Sequence, residues 1–309
     1  MREFKFDFNK AFLKVLIAYI AVFVAGIVTA CIWGVDLDIN FSGGTKISYS
    51  YTGDIDDAKV KEVIDGKIDA KYTFSKSTAL AGDTKTFEIA LVGKDALSAE
   101  KQEELTKALA DGFKDNEIAI YNSNSVSPTM AGTFFVKSLV AVIITAVLVV
   151  IYVGIRFRKI GGISAALTAL VALVLDVLVT FFTCVIFRLQ IDSNYIAVVL
   201  TMLGYSLNDT IVIYDRIREN RKYNPDMEIG ELVNTSVNTV VIRNIVTTAT
   251  TLLAVTTIIV VSEVFGLTSL RTFAIPMVFG LLSGAFSSLF VSGPLWVIWR
   301  RRRIAKGKK

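Results

Sequence analysis

Six runs of apolar residues dominate the pattern along the chain: 12–33, 134–155, 163–187, 194–214, 240–262 and 273–299. Each supplies the roughly 20 helical residues that cross about 30 Å of hydrocarbon, so the pattern predicts six membrane-spanning helices. The run at 194–214 is the least apolar, because Asn208 and Asp209 interrupt it. Between the first and second runs the character changes. Residues 34–133 are polar and predict a folded domain. TKISYSYT at 45–52 alternates and is rich in β-branched and aromatic residues, which reads as a strand. Ala58, Val60, Val63, Ile64 and Ile68 recur at helical spacing over 56–68. Strands follow at 71–76 and 84–92 about a Gly82-Asp83 turn, then a helix from the N-cap Ser98 to residue 113, then a strand at 117–123. The order βαββαβ is the split-βαβ, ferredoxin-like α+β arrangement. The chain thus divides into 1–33 (N-terminus and first span), 34–133 (inserted domain), 134–299 (spans two to six) and 300–309 (basic tail).

Composition agrees with a polytopic α-helical membrane protein. Of 309 residues, 53% are hydrophobic and 20% charged, and the mean hydropathy is +0.57. A soluble chain of this size cannot bury so much apolar surface and keep a wet exterior. The same values exclude disorder, and four prolines without a repeat period exclude fibrous and solenoid classes. The sequence has no histidine, which removes Ser-His-Asp and Cys-His triads, imidazole metal sites and histidine pH switches. Cys31 and Cys184 lie in apolar runs and read as small hydrophobes. Without a Gly-rich loop leading to lysine, a metal-ligand cluster or a nucleophile–base constellation, neither an enzyme nor a cofactor is expected. Val28-Thr29-Ala30-Cys31 is like a lipoprotein cleavage box, but the apolar run before it is longer than a signal core of about 7–15 residues, so a retained span is expected.

Basic residues collect at alternate ends of the runs. Arg2, Lys5, Lys10 and Lys14 precede the first span; Arg156, Arg158 and Lys159 follow the second; Arg216, Arg218, Arg221 and Lys222 follow the fourth. Arg300, Arg301, Arg302, Arg303, Lys306, Lys308 and Lys309 follow the sixth, while the opposite loops carry only Arg188 and Arg271. Lys and Arg favour the cytoplasmic side of short loops, so both termini are expected there and the inserted domain outside. The tail reads as a topology signal that also touches anionic membrane lipid, with no nucleic acid partner.

Ionisable groups inside spans are costly and need a reason. Three stand out: Asp176 in the third span, Asp209 in the fourth and Arg243 in the fifth. Tyr205 shares a helical face with Asp209, and Asn208 adjoins it. Asp209 and Arg243, at similar depths in antiparallel neighbours, are expected to pair. The pair reads either as an ion relay biased by a proton or as a static contact fixing helix register. Asp176, with Thr180 one turn on, reads equally as relay or as hydrogen-bonded packing. Thr247, Thr248, Thr250 and Thr251 form either a polar path or interhelical hydrogen bonds. Gly280 and Gly284, with Ser283, Ser287 and Ser288, read as a small-residue packing face. Gly43-Gly44 reads as a flexible turn.

Several motifs resemble those of the SecF family, the membrane subunit that works with SecD beside the Sec protein-export channel. Asp38-Ile39-Asn40-Phe41-Ser42-Gly43-Gly44-Thr45 is similar to the motif after the family's first span. Gly204-Tyr205-Ser206-Leu207-Asn208-Asp209-Thr210-Ile211-Val212, running on to Asp215-Arg216-Ile217-Arg218-Glu219-Asn220, resembles its signature. Arg243 with Thr247 and Thr250-Thr251-Leu252-Leu253-Ala254-Val255 resembles its fifth helix, and Gly284 with Ser287-Ser288 its sixth. Two positions depart: Leu175 stands where histidine commonly precedes the aspartate of span three, and Ser127-Pro128 where Gly-Pro is usual. The resemblance implies a six-helix half of a resistance-nodulation-division-like (RND-like) bundle in the bacterial inner, or cytoplasmic, membrane, completed by a SecD-like subunit. It further implies an accessory role beside a SecYEG-type channel. There the proton gradient, or sodium in some members, helps draw unfolded preprotein outward, with Asp209 and Arg243 in ion passage and the exported domain moving or touching substrate. The alternatives are a non-transporting anchor for an outer binding domain and an RND-like small-solute or lipid exporter.

Overall fold

The computed structural model describes residues 6–70, 72–78, 85–93 and 97–305. Arg2, Lys5, Lys71, the Gly82-Asp83 turn and the tail lysines beyond Ala305 lie outside them. Along the chain, α1 (Phe8–Trp33) is the first span, N-capped by Asp7, whose carboxylate accepts from the Lys10 N–H. A short α2 (Ile39–Ser42) leads into β1 (Gly44–Tyr51), then α3 (Asp57–Asp65), β2 (Tyr72–Thr78), β3 (Lys85–Val92), α4 (Ala99–Gly112) and β4 (Ala119–Val126). Spans α5 (Pro128–Arg156), α6 (Gly162–Ile186), α7 (Ser193–Tyr223) and α8 (Ile229–Phe265) follow. The sixth span joins α9 (Thr268–Ser287) to α10 (Gly293–Ala305) through a π-helical segment, Ser288–Ser292.

The sheet of the inserted domain is antiparallel throughout, in the order β2-β3-β1-β4. Ile47 pairs with Ile89 and Tyr49 with Phe87, and these side chains face a core closed by Val60 and Ile64 of α3 and Leu105 and Leu109 of α4. Ser98 caps α4 as its spacing suggests, accepting from the Lys101 N–H. Gly43-Gly44 is no loose hinge. Gly44 has φ +136°, and a Cβ there would sit 2.0 Å from the Leu91 carbonyl oxygen, so only glycine lets β1 start this close to β3. The four-residue α2, N-capped by Asp38, lies in a stretch where no helical periodicity can develop.

A compact junction ties domain to bundle. The segment after α1 runs beside the loop between α6 and α7: the Asp38 N–H donates to Ile191 O (3.0 Å) and the Ile191 N–H to Asp36 O (2.8 Å). Arg188 donates to Trp33 O at 2.9 Å and pairs with Asp36 at 2.9 Å. Asp192 then caps α7, accepting from the Asn194 and Tyr195 N–H groups, and also accepts from Thr272 of α9.

Within the bundle, α9 packs against α6, α7 and α8 and α1 packs on α6. Helices α7 and α8 outrun the apolar windows of the sequence. Their extensions bury Ile217 against Ile229, Leu232, Val233 and Val237, and the Asn220 amide donates to Ser236 Oγ at 2.9 Å. With six spans, the described ends of the first and last helices, Phe8 and Ala305, lie at the end of the bundle opposite the sheet domain.

Candidate functional site

Among the described residues, two polar groups inside the bundle carry a buried carboxylate, and α7 contributes to both. The first centres on Asp176, 1% exposed. Its Oδ1 accepts from Ser283 Oγ at 2.6 Å, and its Oδ2 from Ser206 Oγ at 2.6 Å and Ser287 Oγ at 2.8 Å. The two 2.6 Å lengths fit charge-assisted O–H···O bonds and the 2.8 Å one an ordinary hydroxyl bond. One carboxylate on α6 thus binds α7 and α9, and the Tyr19 hydroxyl of α1 joins through Ser283 (3.0 Å to O, 3.1 Å to Oγ). Thr180 donates back to the Asp176 carbonyl at 2.8 Å. Gly280 and Gly284 permit this convergence. A Cβ on Gly280 would meet Thr180 Oγ1 at 2.8 Å, and one on Gly284 would meet Ser206 Cβ at 3.2 Å. Ser288 lies apart from the carboxylate and donates to Ala285 O.

A second set of buried polar side chains is carried by α7 and α8. Asp209 is 3% exposed, and its Oδ2 is buried without a hydrogen-bond partner. Tyr205 Oη and Thr210 Oγ1 on α7, and Asn244 Nδ2 and Thr248 Oγ1 on α8, are likewise buried and unpaired. Buried polar atoms nearly always have partners, so these five, apart from Asp215 Oδ1 and Arg216 Nε at the charged end of α7, mark a place built for more than packing. Stepping equally along both helices from the Asn220–Ser236 contact sets Asp209 level with Thr247, between Asn244 and Thr248. Arg243 falls one turn nearer the termini.

The expected Asp209–Arg243 ion pair is not formed: none of the ion pairs among the described residues joins them, and Arg243 is exposed. Its charge still acts on Asp209 through space. Asn208 is exposed beside Asp209, as is Thr201 two turns before it. Three of the four threonines in the row direct their hydroxyls to carbonyls of their own helix. Thr247 donates to Arg243 O and Asn244 O, Thr250 to Val246 O and Thr247 O, and Thr251 to Thr247 O, all within α8. A threonine in a helix can always turn its hydroxyl onto the carbonyl one turn back, which satisfies it without a neighbour. Thr248 and Asn244 are the buried polar residues in the middle of α8, between Ser236 and Ser262. Their i, i+4 spacing mirrors Tyr205 and Asp209, a signal available in the sequence.

At the termini end, Asp215 pairs with Arg156 (3.0 Å) and Arg218 (2.8 Å), and Arg301 with Glu228 (2.8 Å). The Arg301 guanidinium holds the Glu228 carboxyl below its usual range.

A six-span bundle with an inserted ferredoxin-like domain and acids buried among its helices defines an RND-like polytopic membrane protein. The comparisons give the family. The family described as protein export membrane protein SecD/SecF, C-terminal, matches residues 105–302. The protein translocase subunit SecF of Alicyclobacillus acidocaldarius is 31% identical over 292 residues, covering 94% of this chain and 91% of that protein. The chain belongs to the SecF family of protein-export membrane proteins. The SecDF subunit of Bacillus subtilis is 31% identical over 307 residues, with 98% of this chain matching 39% of that longer protein. A crystal structure of SecDF, a translocon-associated membrane protein from Thermus thermophilus, aligns with TM-score 0.80 at 25% identity over 97% of this chain and 39% of that chain. A super-membrane-facing form of SecDF aligns with TM-score 0.65, over 99% and 40%. This chain therefore spans well under half of the SecDF chains and nearly all of a separate SecF.

Proposed function

We propose that this chain is a Sec translocase subunit that, with a SecD-like half, uses the ion gradient to promote outward movement of secreted preproteins. The observation that carries the reading is the Asp209 carboxylate: buried, unpaired at Oδ2, and under the field of a guanidinium it does not touch. Such an acid exchanges a proton without first breaking an ion pair. A proton arriving from outside neutralises Asp209, its attraction to Arg243 vanishes, and α7 shifts against α8. The domain-side end of α7 is capped by Asp192, next to the loop bonded to the segment that carries the domain, so the shift reaches the domain directly. One charge crossing 100 mV supplies about 2.3 kcal/mol, which tilts a two-state equilibrium roughly fiftyfold.

Thr201, Asn208, Arg243 and Thr250 are exposed at membrane depth. Polar groups facing lipid are unfavourable, which supports a SecD-like half covering that face. The existence of SecDF in a super-membrane-facing form supports a domain that changes position. In this reading the termini are cytoplasmic, the Sec channel is the neighbour, unfolded preprotein meets the outer domain, and the basic tail rests on anionic lipid of the bacterial cytoplasmic membrane. The test is gradient-dependent stimulation of preprotein export into vesicles holding the complex. Asp209→Asn, inserted and folded, should abolish the stimulation; full stimulation by that variant would rule the relay out. If the chain were only an anchor, the charge-exchanged Asp209→Arg, Arg243→Asp variant should support export as well as the wild type.

A further inference from the structure

A carboxylate at the middle of a membrane bundle needs a counter-cation, a proton or a full set of hydrogen-bond donors. Asp176 has no counter-cation. The groups facing it are Ser206 of α7, Ser283 and Ser287 of α9 and, through Ser283, the Tyr19 phenol of α1; on its own helix Thr180 is bound to its carbonyl. Tyr19 is the titratable member of that set, and among the described residues no lysine, arginine or second acid pairs with the carboxylate. The charge is held by three hydroxyl donors.

The same set accommodates the protonated acid without losing a hydrogen bond. Ser287 Oγ has a second acceptor within reach, the Gly284 carbonyl at 3.2 Å. When Oδ2 gains a proton, the new O–H donates to Ser287 Oγ across the existing 2.8 Å contact, and the Ser287 hydroxyl turns to Gly284 O. Ser206 keeps donating to Oδ2 and Ser283 to Oδ1. Loss of the proton reverses the turn. The cluster makes three hydrogen bonds in the ionised state and four in the protonated one, and a single rotor distinguishes them.

Resting on the relay reading above, we propose that the Asp176–Ser287 cluster is a second proton-binding station, in series with Asp209 on its domain side. Ser206, bonded to Asp176, lies one turn along α7 from Asp209 toward the domain, a rise of about 4.5 Å. A proton driven inward therefore reaches Asp176 first and Asp209 next.

The experiment is infrared difference spectroscopy of the full chain in lipid vesicles as the pH is stepped. Two protonated-carboxyl C=O bands from membrane-buried acids should grow and fade with pH. Asp176→Asn removes one and Asp209→Asn the other, while Ser287→Ala moves the first band and leaves the second in place. If Asp176→Asn does not fold, Ser287→Ala and Ser206→Ala assign the band in its stead. An Asp176 band of constant strength at every pH, or none at any pH, overturns the proposal. A titrating Asp176 band beside a silent Asp209 upholds the proton-binding site and fails the reading on which its place in a series rests.

Discussion

The approach of α9 to α6 and α7 is set by glycines, and alanine substitution measures how tightly. A Cβ at Gly280 would lie 2.8 Å from Thr180 Oγ1 and 3.1 Å from Met202 Cγ and Sδ. Thr180 cannot swing aside, because its hydroxyl is bonded to the Asp176 carbonyl, and Met202 is buried. Overpacking of that kind costs about 1–3 kcal/mol. A Cβ at Gly284 would lie 3.2 Å from Ser206 Cβ, which asks α7 to yield only a few tenths of an ångström. A Cβ at Gly204 meets nothing within 4 Å. All three positions are helical and share the same propensity gain of about 1 kcal/mol on becoming alanine, so differences among them report space alone. The expected order of thermal midpoints is Gly204→Ala at or above wild type, then Gly284→Ala, then Gly280→Ala. At about 2–4 °C per kcal/mol, the outer members should differ by roughly 2–12 °C. The assay is thermal unfolding of the purified chain in detergent. Gly280→Ala as stable as Gly204→Ala would refute the claim that glycine spacing brings the serines to Asp176.

Three further outcomes are expected. Gly44→Ala should unfold the inserted domain while the spans still insert, because its φ of +136° and the Leu91 carbonyl leave no room; protease resistance of the domain in vesicles checks this. Asn238→Ala should free the N-terminal segment, since the Asn238 side chain both accepts from the Phe6 N–H (3.0 Å) and donates to its carbonyl (2.8 Å); faster hydrogen exchange from residue 6 onward is the readout. Glu228→Gln should cost under about 1 kcal/mol at neutral pH, because the Arg301 pair is solvent-screened. The folded-state pKa of Glu228 lies below its usual 4.5, so the pair stabilises above that value and the benefit is lost as pH falls through the folded pKa. Denaturation of wild type and variant should therefore converge in acid; a gap that widens on acidification contradicts the assignment.

The legible parts of the fold are those that depend on local pattern. Apolar runs mark spans, alternation marks β1, and Ser98 marks the start of α4. Contacts between distant segments are less legible. Ser206, Ser283 and Ser287 look like ordinary small helix residues until the fold brings them to Asp176. The depth of Arg243 misleads for a related reason. Counting inward from each basic flank assumes that α7 and α8 leave the membrane at the same level. Both helices in fact run on past the apolar layer, and the Asn220–Ser236 contact sets the register one turn away from the expected pairing. Threonine counts mislead because the helix itself satisfies Thr247, Thr250 and Thr251; helical phase, which singles out Asn244 and Thr248, is the better guide.

The position of α7 makes these pieces one device. It carries Ser206 in the Asp176 cluster and Asp209 among the orphaned polar atoms of the α7–α8 hairpin. Its domain-side end begins at Asp192, which also holds Thr272 of α9. The residue before Asp192 exchanges backbone hydrogen bonds with Asp36 and Asp38 of the segment leading to the sheet. Any axial shift or rotation of α7 therefore changes its bonds to α9 and its hold on the domain together. A flexible tether would dissipate the shift; the junction instead uses backbone bonds and the Arg188–Asp36 pair. Severing that pair with Arg188→Ala should leave the proton chemistry at Asp176 and Asp209 intact and weaken the export response, which separates ion binding from its mechanical use. An Arg188→Ala variant with undiminished export would show that the domain is driven by some other contact.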